Sequence, residues 1–218
     1  MLTRQLVLKD LVDSDVPYLL FETDAWWQRN AYAYLDRVLA SGGELRSQLQ
    51  ASPPSGMSQQ YIKDAPFDMA LYVDVPHPVE AGTIGVGGGF FLALPLPGTK
   101  HLFEKWASNV RDGILSSLHQ VGVPVNETEQ AMLQRLVTQR YSGFRPLLLP
   151  IDLFPNGQFY QGLTDAAQAA AKVQAHEAIV IQFNYVVGTR QKVRRAKRYH
   201  HWGLADNGKC LSLSVLPL

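Results

Sequence analysis

The chain has 218 residues, 46% of them hydrophobic and 18% charged, with a formal net charge of +1 at pH 7. That composition belongs to a globular protein with one sizeable core or two small ones, and it excludes a disordered chain or one steered by charge onto nucleic acid. The single cysteine, Cys210, excludes an intramolecular disulfide and a thiolate metal site, and no stretch reads as a signal peptide or a membrane span.

The opening "MLTRQLVLKDLVDSD" predicts a short amphipathic helix with Leu2, Leu6 and Leu11 on its apolar side. "PYLLFETDA" follows, an apolar run ending in polar residues, as a buried strand does on reaching the rim of its sheet. "YLDRVLASGG" predicts a helix stopped by glycines. Residues 44–66 are mostly polar, with three prolines and one glycine, and predict a mobile surface loop over a site. "FDMALYVDV" and "TIGVGGGFFLALP" predict two strands, the second interrupted by glycines.

From Thr99 to His119, Phe103, Trp106, Val110, Ile114 and Leu118 recur at helical steps and predict a long helix with one apolar face. A second helix is expected over Glu127–Tyr141, then a short strand in "RPLLLP" and a turn at "FPNG". The alanines of "TDAAQAAAKVQAH" favour helix, and "EAIVIQFNYV" predicts a buried strand. "TRQKVRRAKRYHHW" is a basic stretch compatible with a helix. Strands alternating with helices give an α/β protein with a mixed sheet flanked by helices.

Several pieces carry possible chemistry. Glu22 and Asp24 would lie on one face of an extended chain, about 6.5–7 Å apart by strand rise. Two such oxygen ligands suit a divalent metal holding a diphosphate; the plainer reading is a solvated corner. "GVGGGF" leads into strand rather than helix, so it lacks the dinucleotide-binding context. Its glycines permit a close approach, either by a neighbouring segment or by a sugar lying against Gly88 and Gly89. In "NETEQ", Asn126 and Glu129 fit a capping box, while Glu129 and Gln130 could equally serve a site at a sheet edge.

The basic run of Arg190, Lys192, Arg194, Arg195, Lys197 and Arg198 is a solvated helix face by default, or a phosphate clamp through one or two members. It is too short, on a near-neutral chain, for a nucleic-acid partner to be expected. His200 and His201 are adjacent, a poor arrangement for one ion, and are expected at the surface or behind other site residues.

Taken in order, "YLLFETDAWW", "GVGGGFFLALPLPGTKHLFEKW", "NETEQAMLQRL", "FPNG" and "FNYVVGTRQKVRRAKRYHHW" resemble the nucleotide-diphospho-sugar transferase family. These are GT-A type glycosyltransferases that include plant cell-wall α-xylosyl- and arabinosyltransferases. The likeness runs from about Leu19 to Trp202 and rests on the order of five motifs. It implies that Glu22 and Asp24 stand for the Asp-x-Asp motif that holds manganese on the donor diphosphate, with glutamate in the first place. It implies that Glu129 and Gln130 stand for an Asp-Gln pair near the donor sugar. Asn184, Gly188 and Lys192 match the C-terminal motif, in which Lys192 would contact phosphate. Gln182 stands where many relatives have histidine.

The resemblance further implies a nucleotide-diphosphate sugar donor, a glycan or glycoprotein acceptor, a manganese or other divalent cofactor, retention of configuration and a Golgi location. Only about 20 residues precede Glu22, so the strand and helix that bind the nucleotide base, and any membrane anchor, are expected to be missing from a single domain spanning 1–218. A non-catalytic relative that keeps the fold as a binding or scaffold protein is the alternative expectation.

Overall fold

The computed structural model describes residues 2–22, 24–42, 65–74, 85–119, 128–184 and 186–201. They form six helices, α1 (Leu2–Asp13), α2 (Ala31–Ala40), α3 (Pro97–His119), α4 (Glu129–Thr138), α5 (Ala166–His176) and α6 (Thr189–Arg198). The six strands are β1 (Tyr18–Phe21), β2 (Ala25–Trp27), β3 (Met69–Val73), β4 (Val86–Ala93), β5 (Pro146–Leu149) and β6 (Val180–Gln182). The chain divides into two compact units, Met1–Phe21 with Tyr32–Leu149, and Glu22–Ala31 with Pro150–Leu218. The loop expected at 44–66 falls almost wholly outside the described residues.

The first unit holds a four-stranded mixed sheet in the order β1-β4-β3-β5. β4 runs antiparallel to both β1 and β3, while β5 lies parallel to β3. A parallel pair needs a crossover, and the chain between β3 and β5 supplies it through β4, α3 and α4. Phe91 and Ala93 of β4 and Met69 and Leu71 of β3 bury their side chains in one core with Phe103, Trp106 and Val110 of α3. Met132, Leu133, Leu136 and Val137 close that core from α4, at the three- and four-residue steps of one helix face.

Helix α1 forms where the sequence predicts it but turns a different side inward. Gln5, Leu8 and Val12 are buried, whereas Leu6 is exposed and Leu11 only half-buried. Leu8 and Val12 join the main core, so packing rather than the leucine count selects the face.

At the heart of this unit Asp68 is 2% exposed. Its carboxylate accepts from the Arg145 amide at 2.7 Å and from the Arg145 guanidinium at 3.2 Å through both Nε and Nη2. Its carbonyl accepts from the Leu94 amide and the Thr99 hydroxyl, each at 3.0 Å. One residue therefore joins the entry to β3, the entry to β5, the exit from β4 and the first turn of α3. A Cβ on Gly98 would stand 2.6 Å from the Asp68 carboxylate, so the helix start must be glycine to come this close.

The second unit is built on a two-stranded antiparallel ladder of β2 and β6, with Trp26 opposite Ile181. The strand expected over Glu177–Val186 is only three residues long. Glu177 caps α5 in a left-handed conformation, and the Phe183 amide bonds the Asp24 carbonyl beyond the ladder. The core gathers Phe159, Tyr160, Ile181, Phe183 and Tyr199. The Tyr160 ring stacks on Tyr199 at 4.9 Å and on Phe183 at 5.6 Å, and Arg195 lies over its face at 5.2 Å.

Replacing Asp68 by alanine is expected to lower stability by roughly 2–3 kcal/mol, most of it from the orphaned Arg145 amide, because the guanidinium is half exposed. Asp68→Asn keeps an acceptor for that amide and should lose less. Urea denaturation of the two variants beside the parent checks the order.

Candidate functional site

The acidic pair lies in the second unit, and not as an extended strand end. β1 stops at Phe21, and the Ala25 amide donates to the Glu22 carbonyl at 3.1 Å, which bends the chain between the two acids. The two tryptophans that follow the acids are themselves strand. Trp26 and Trp27 pair with Ile181 and Val180, and the Trp26 ring stacks on His201 at 5.5 Å. Glu22 is exposed on its side of the bend, while the Asp24 side chain keeps 12% of its surface.

Asp24 is met from α6. The helix begins after Gly188, whose φ of 81° and ψ of 146° belong to a region that essentially only glycine occupies. The Gly188 carbonyl accepts from the amides of Gln191 at 3.1 Å and Lys192 at 3.3 Å. That sets Lys192 one turn into the helix, where its ammonium donates to Asp24 Oδ2. The other oxygen, Asp24 Oδ1, is buried without a hydrogen-bond partner among the described residues.

Asn184 is a clamp on the "FPNG" turn. Its side-chain oxygen accepts from the Gly157 amide, and its carbonyl accepts from Arg195 Nη1 at 2.9 Å. The same guanidinium nitrogen reaches the Gly157 carbonyl at 3.3 Å. A Cβ on Gly157 would come within 1.8 Å of the Asn184 carbonyl, which explains the glycine of that turn. Gln182, where the resemblance implied a histidine, is buried within β6 and its backbone amide donates to the Pro155 carbonyl at 3.0 Å.

The basic run thus divides by helical spacing. Lys192 and Arg195 face inward with buried Ala196, while Arg190, Arg194, Lys197 and Arg198 are exposed. Of the two histidines, His200 is exposed and His201 is 5% exposed, so the second is a core residue rather than a surface one. His201 Nδ1 shares a 2.7 Å hydrogen bond with the Tyr160 hydroxyl. Burial, with a contribution from neighbouring His200, lowers the His201 pKa to about 4.

Glu129, Gln130, Gly88 and Gly89 belong to the first unit. Thr128 caps α4, accepting from the Ala131 amide at 3.2 Å; Asn126, the expected cap, lies outside the described residues. With that cap one residue away, Glu129 does not reach back. Its Oε1 accepts from Arg4 Nη1 at 3.3 Å and its Oε2 from Gln5 Nε2. Gln130 donates to Asp74 Oδ2 at 2.8 Å. Arg4 also donates to the Gly88 carbonyl, tying the acid to the glycine-rich strand.

The glycines there divide in role. A Cβ on Gly87 would collide with the Tyr72 ring at 1.8 Å, so that glycine serves packing. A Cβ on Gly88 meets nothing within 4 Å, and Gly89 is buried. Only Gly88 of the two expected contacts faces open space.

The residues that sequence reasoning missed are the partners Arg4 and Gln5, and for Arg195, named in the basic run, the role of binding the Asn184 and Gly157 carbonyls. Lys192, Arg195, Ala196 and Tyr199 do recur at helical steps, a signal that separates inward from outward cations in the basic run. Nothing in the local sequence of Arg4 or Gln5 points to Glu129, 125 and 124 residues ahead.

The family model of the nucleotide-diphospho-sugar transferases matches residues 1–196. The chain belongs to that family, and its α/β architecture with a mixed sheet agrees with a GT-A-type domain. No curated protein and no solved structure matches the chain significantly. No helix among the described residues is long and apolar enough to cross a membrane.

His201 sets a pH dependence on stability. Unfolded, the ring takes a proton near pH 6.5; folded, only near pH 4. Between those values acid favours the unfolded chain, so stability should fall as pH drops from 6.5 to 4, by on the order of 3 kcal/mol, and this contribution should level off below. His201→Phe should flatten the slope across that window in urea titrations run from pH 7 to pH 4.

Proposed function

We propose that the protein transfers a glycosyl group from a nucleotide-diphosphate sugar to a glycan or glycoprotein acceptor, with retention of configuration and with the help of a divalent cation such as manganese. The observation that carries this reading is the meeting of Asp24 with Lys192. The family's acidic motif and its phosphate-contacting lysine, 168 residues apart in sequence, share one contact.

The donor set fits a hard cation at Asp24. One carboxylate oxygen is buried without a partner, an expensive condition that an ion or its bound water would relieve. Among the described residues no three His, Cys, Asp or Glu side chains gather in one cluster, so the protein's share of the ligands would be small, Asp24 with Glu22 two residues before it. When bound, such a cation supplies charge neutralisation to the departing diphosphate.

The chain's own residues do the rest. Lys192 offers a point charge on a flexible stem, suited to a phosphate oxygen. Gly188 provides the backbone conformation from which α6 starts, and Asn184 and Arg195 hold the preceding segment against the "FPNG" turn. Within the first unit, taken by itself, Glu129 and Gln130 are proposed sugar contacts, with Gly88 open beside them. Arg4 and Gln5 keep the Glu129 carboxylate oriented.

A second reading, a binding or scaffold protein without turnover, draws on the same contacts. Asp24 and Glu129 already have cationic or amide partners, as acids retained for structure would.

Asp24→Asn should abolish manganese-dependent hydrolysis or transfer from a nucleotide sugar, while circular dichroism shows the fold retained. Activity that persists in chelator and ignores the substitution would remove the metal from the proposal. No activity in the parent across a panel of nucleotide sugars would favour the scaffold reading.

Lys192→Ala should weaken nucleoside-diphosphate binding in the presence of manganese by tenfold or more, the order expected for a lost charged contact. Lys197→Ala, on the exposed face, should change it less than twofold. Isothermal titration of both variants makes the comparison.

A further inference from the structure

We infer that Asp24 and Lys192 form an exchange pair: each neutralises the other in the free protein, and the cation and the diphosphate part them by each taking one. The inference rests on the proposed function of this site and adds how the site is kept closed until its ligands arrive.

The geometry confines the change to two side chains. The Asp24 backbone is held by the Phe183 amide, which donates to its carbonyl at 2.8 Å, and the Lys192 backbone by its bond to Gly188 at 3.3 Å. Beyond those anchors, lysine has four flexible methylenes and three rotatable donors, and its side chain keeps 31% of its surface in water. Its ammonium can leave Asp24 without disturbing the helix. Asp24 cannot follow, being 12% exposed, so whatever replaces the ammonium must come to it.

Half of the exchange is already prepared. Lys192 satisfies only Oδ2; Oδ1 faces inward without a partner. A carboxylate content with its lysine would have both oxygens bonded or one in water. The vacant oxygen leaves the carboxylate with capacity for a second cationic partner, and a divalent charge held at Asp24 would repel the ammonium already there.

Each ligand alone meets a group already neutralised. A cation must expel Lys192 with nowhere to put its charge, and a diphosphate must draw Lys192 away from Asp24 and leave a partly buried carboxylate bare. Together they convert one internal pair into two external ones. By linkage the closing contact weakens each single ligand by a comparable factor, and couplings of this kind usually span about 5- to 150-fold.

The test uses single-ligand binding, because pyrophosphate chelates manganese in solution and would mask the effect in a mixture. Mn2+ alone, followed by electron paramagnetic resonance of the free ion, should bind Lys192→Met at least tenfold more tightly than the parent. Lys192→Arg, which keeps a cation on Asp24, should stay near the parent. Inorganic pyrophosphate in chelator, followed by calorimetry, should bind Asp24→Asn severalfold more tightly, since Lys192 is then free. If Lys192→Met does not fold, Lys192→Gln carries the same expectation.

Equal Mn2+ affinity in parent and Lys192→Met, with loss in Asp24→Asn, would overturn the exchange pair and leave the metal site standing. Mn2+ binding that ignores Asp24→Asn, or is absent throughout, would overturn the metal reading and this inference with it.

Discussion

A carboxylate withdrawn from water must be met by cations or by hydrogen-bond donors, or the fold that buried it does not persist. Three such meetings organise the described residues. In the first unit, Asp68 is closed by Arg145 and so joins two neighbouring parallel strands to the start of the long helix. Glu129 is closed by Arg4 and Gln5, which brings the N-terminal helix onto the first turn of α4. In the second unit, Asp24 is closed by Lys192, which brings α6 onto the bend before β2. In each, chain segments far apart in sequence are joined by charge.

The three acids are not equivalent. Asp68 is almost fully buried, with both oxygens bonded to Arg145 and its backbone in use as well, so its bonds are committed to the fold. Glu129 has both oxygens engaged at a half-buried position. Asp24 alone among them keeps a buried oxygen without a partner among the described residues. Unsatisfied polar atoms are costly and tend to survive where something else is served, which separates a structural acid from a candidate ligand on physical grounds.

The glycines show the same division between scaffold and site. Gly87, Gly98 and Gly157 are each pressed against a neighbour that leaves no room for a Cβ. Gly188 meets nothing, yet its backbone conformation admits little else, and Gly88 is open on its outer side. Composition gives five identical letters; only the surroundings assign close packing to three of them, a half-buried strand position to Gly88 and an exposed helix start to Gly188.

By itself the sequence determined much of this protein. Apolar periodicity placed α3 and α4, alternating strands and helices set the α/β class, and five ordered motifs pointed to the family that the match over residues 1–196 establishes. These features are local, or are strings of local features in fixed order, and so can be read along the chain. Tertiary structure alone decided which face of α1 is inside, that the tryptophans after Asp24 are strand, and that β6 is three residues long. It also decided that His201 lies in the core and that Lys192 rather than its basic neighbours meets Asp24. Each of those outcomes depends on a partner supplied from elsewhere in the chain: Glu129 for Gln5, Ile181 for Trp26, Tyr160 for His201. A local pattern records what a residue can do; burial against a distant partner selects which of those things it does.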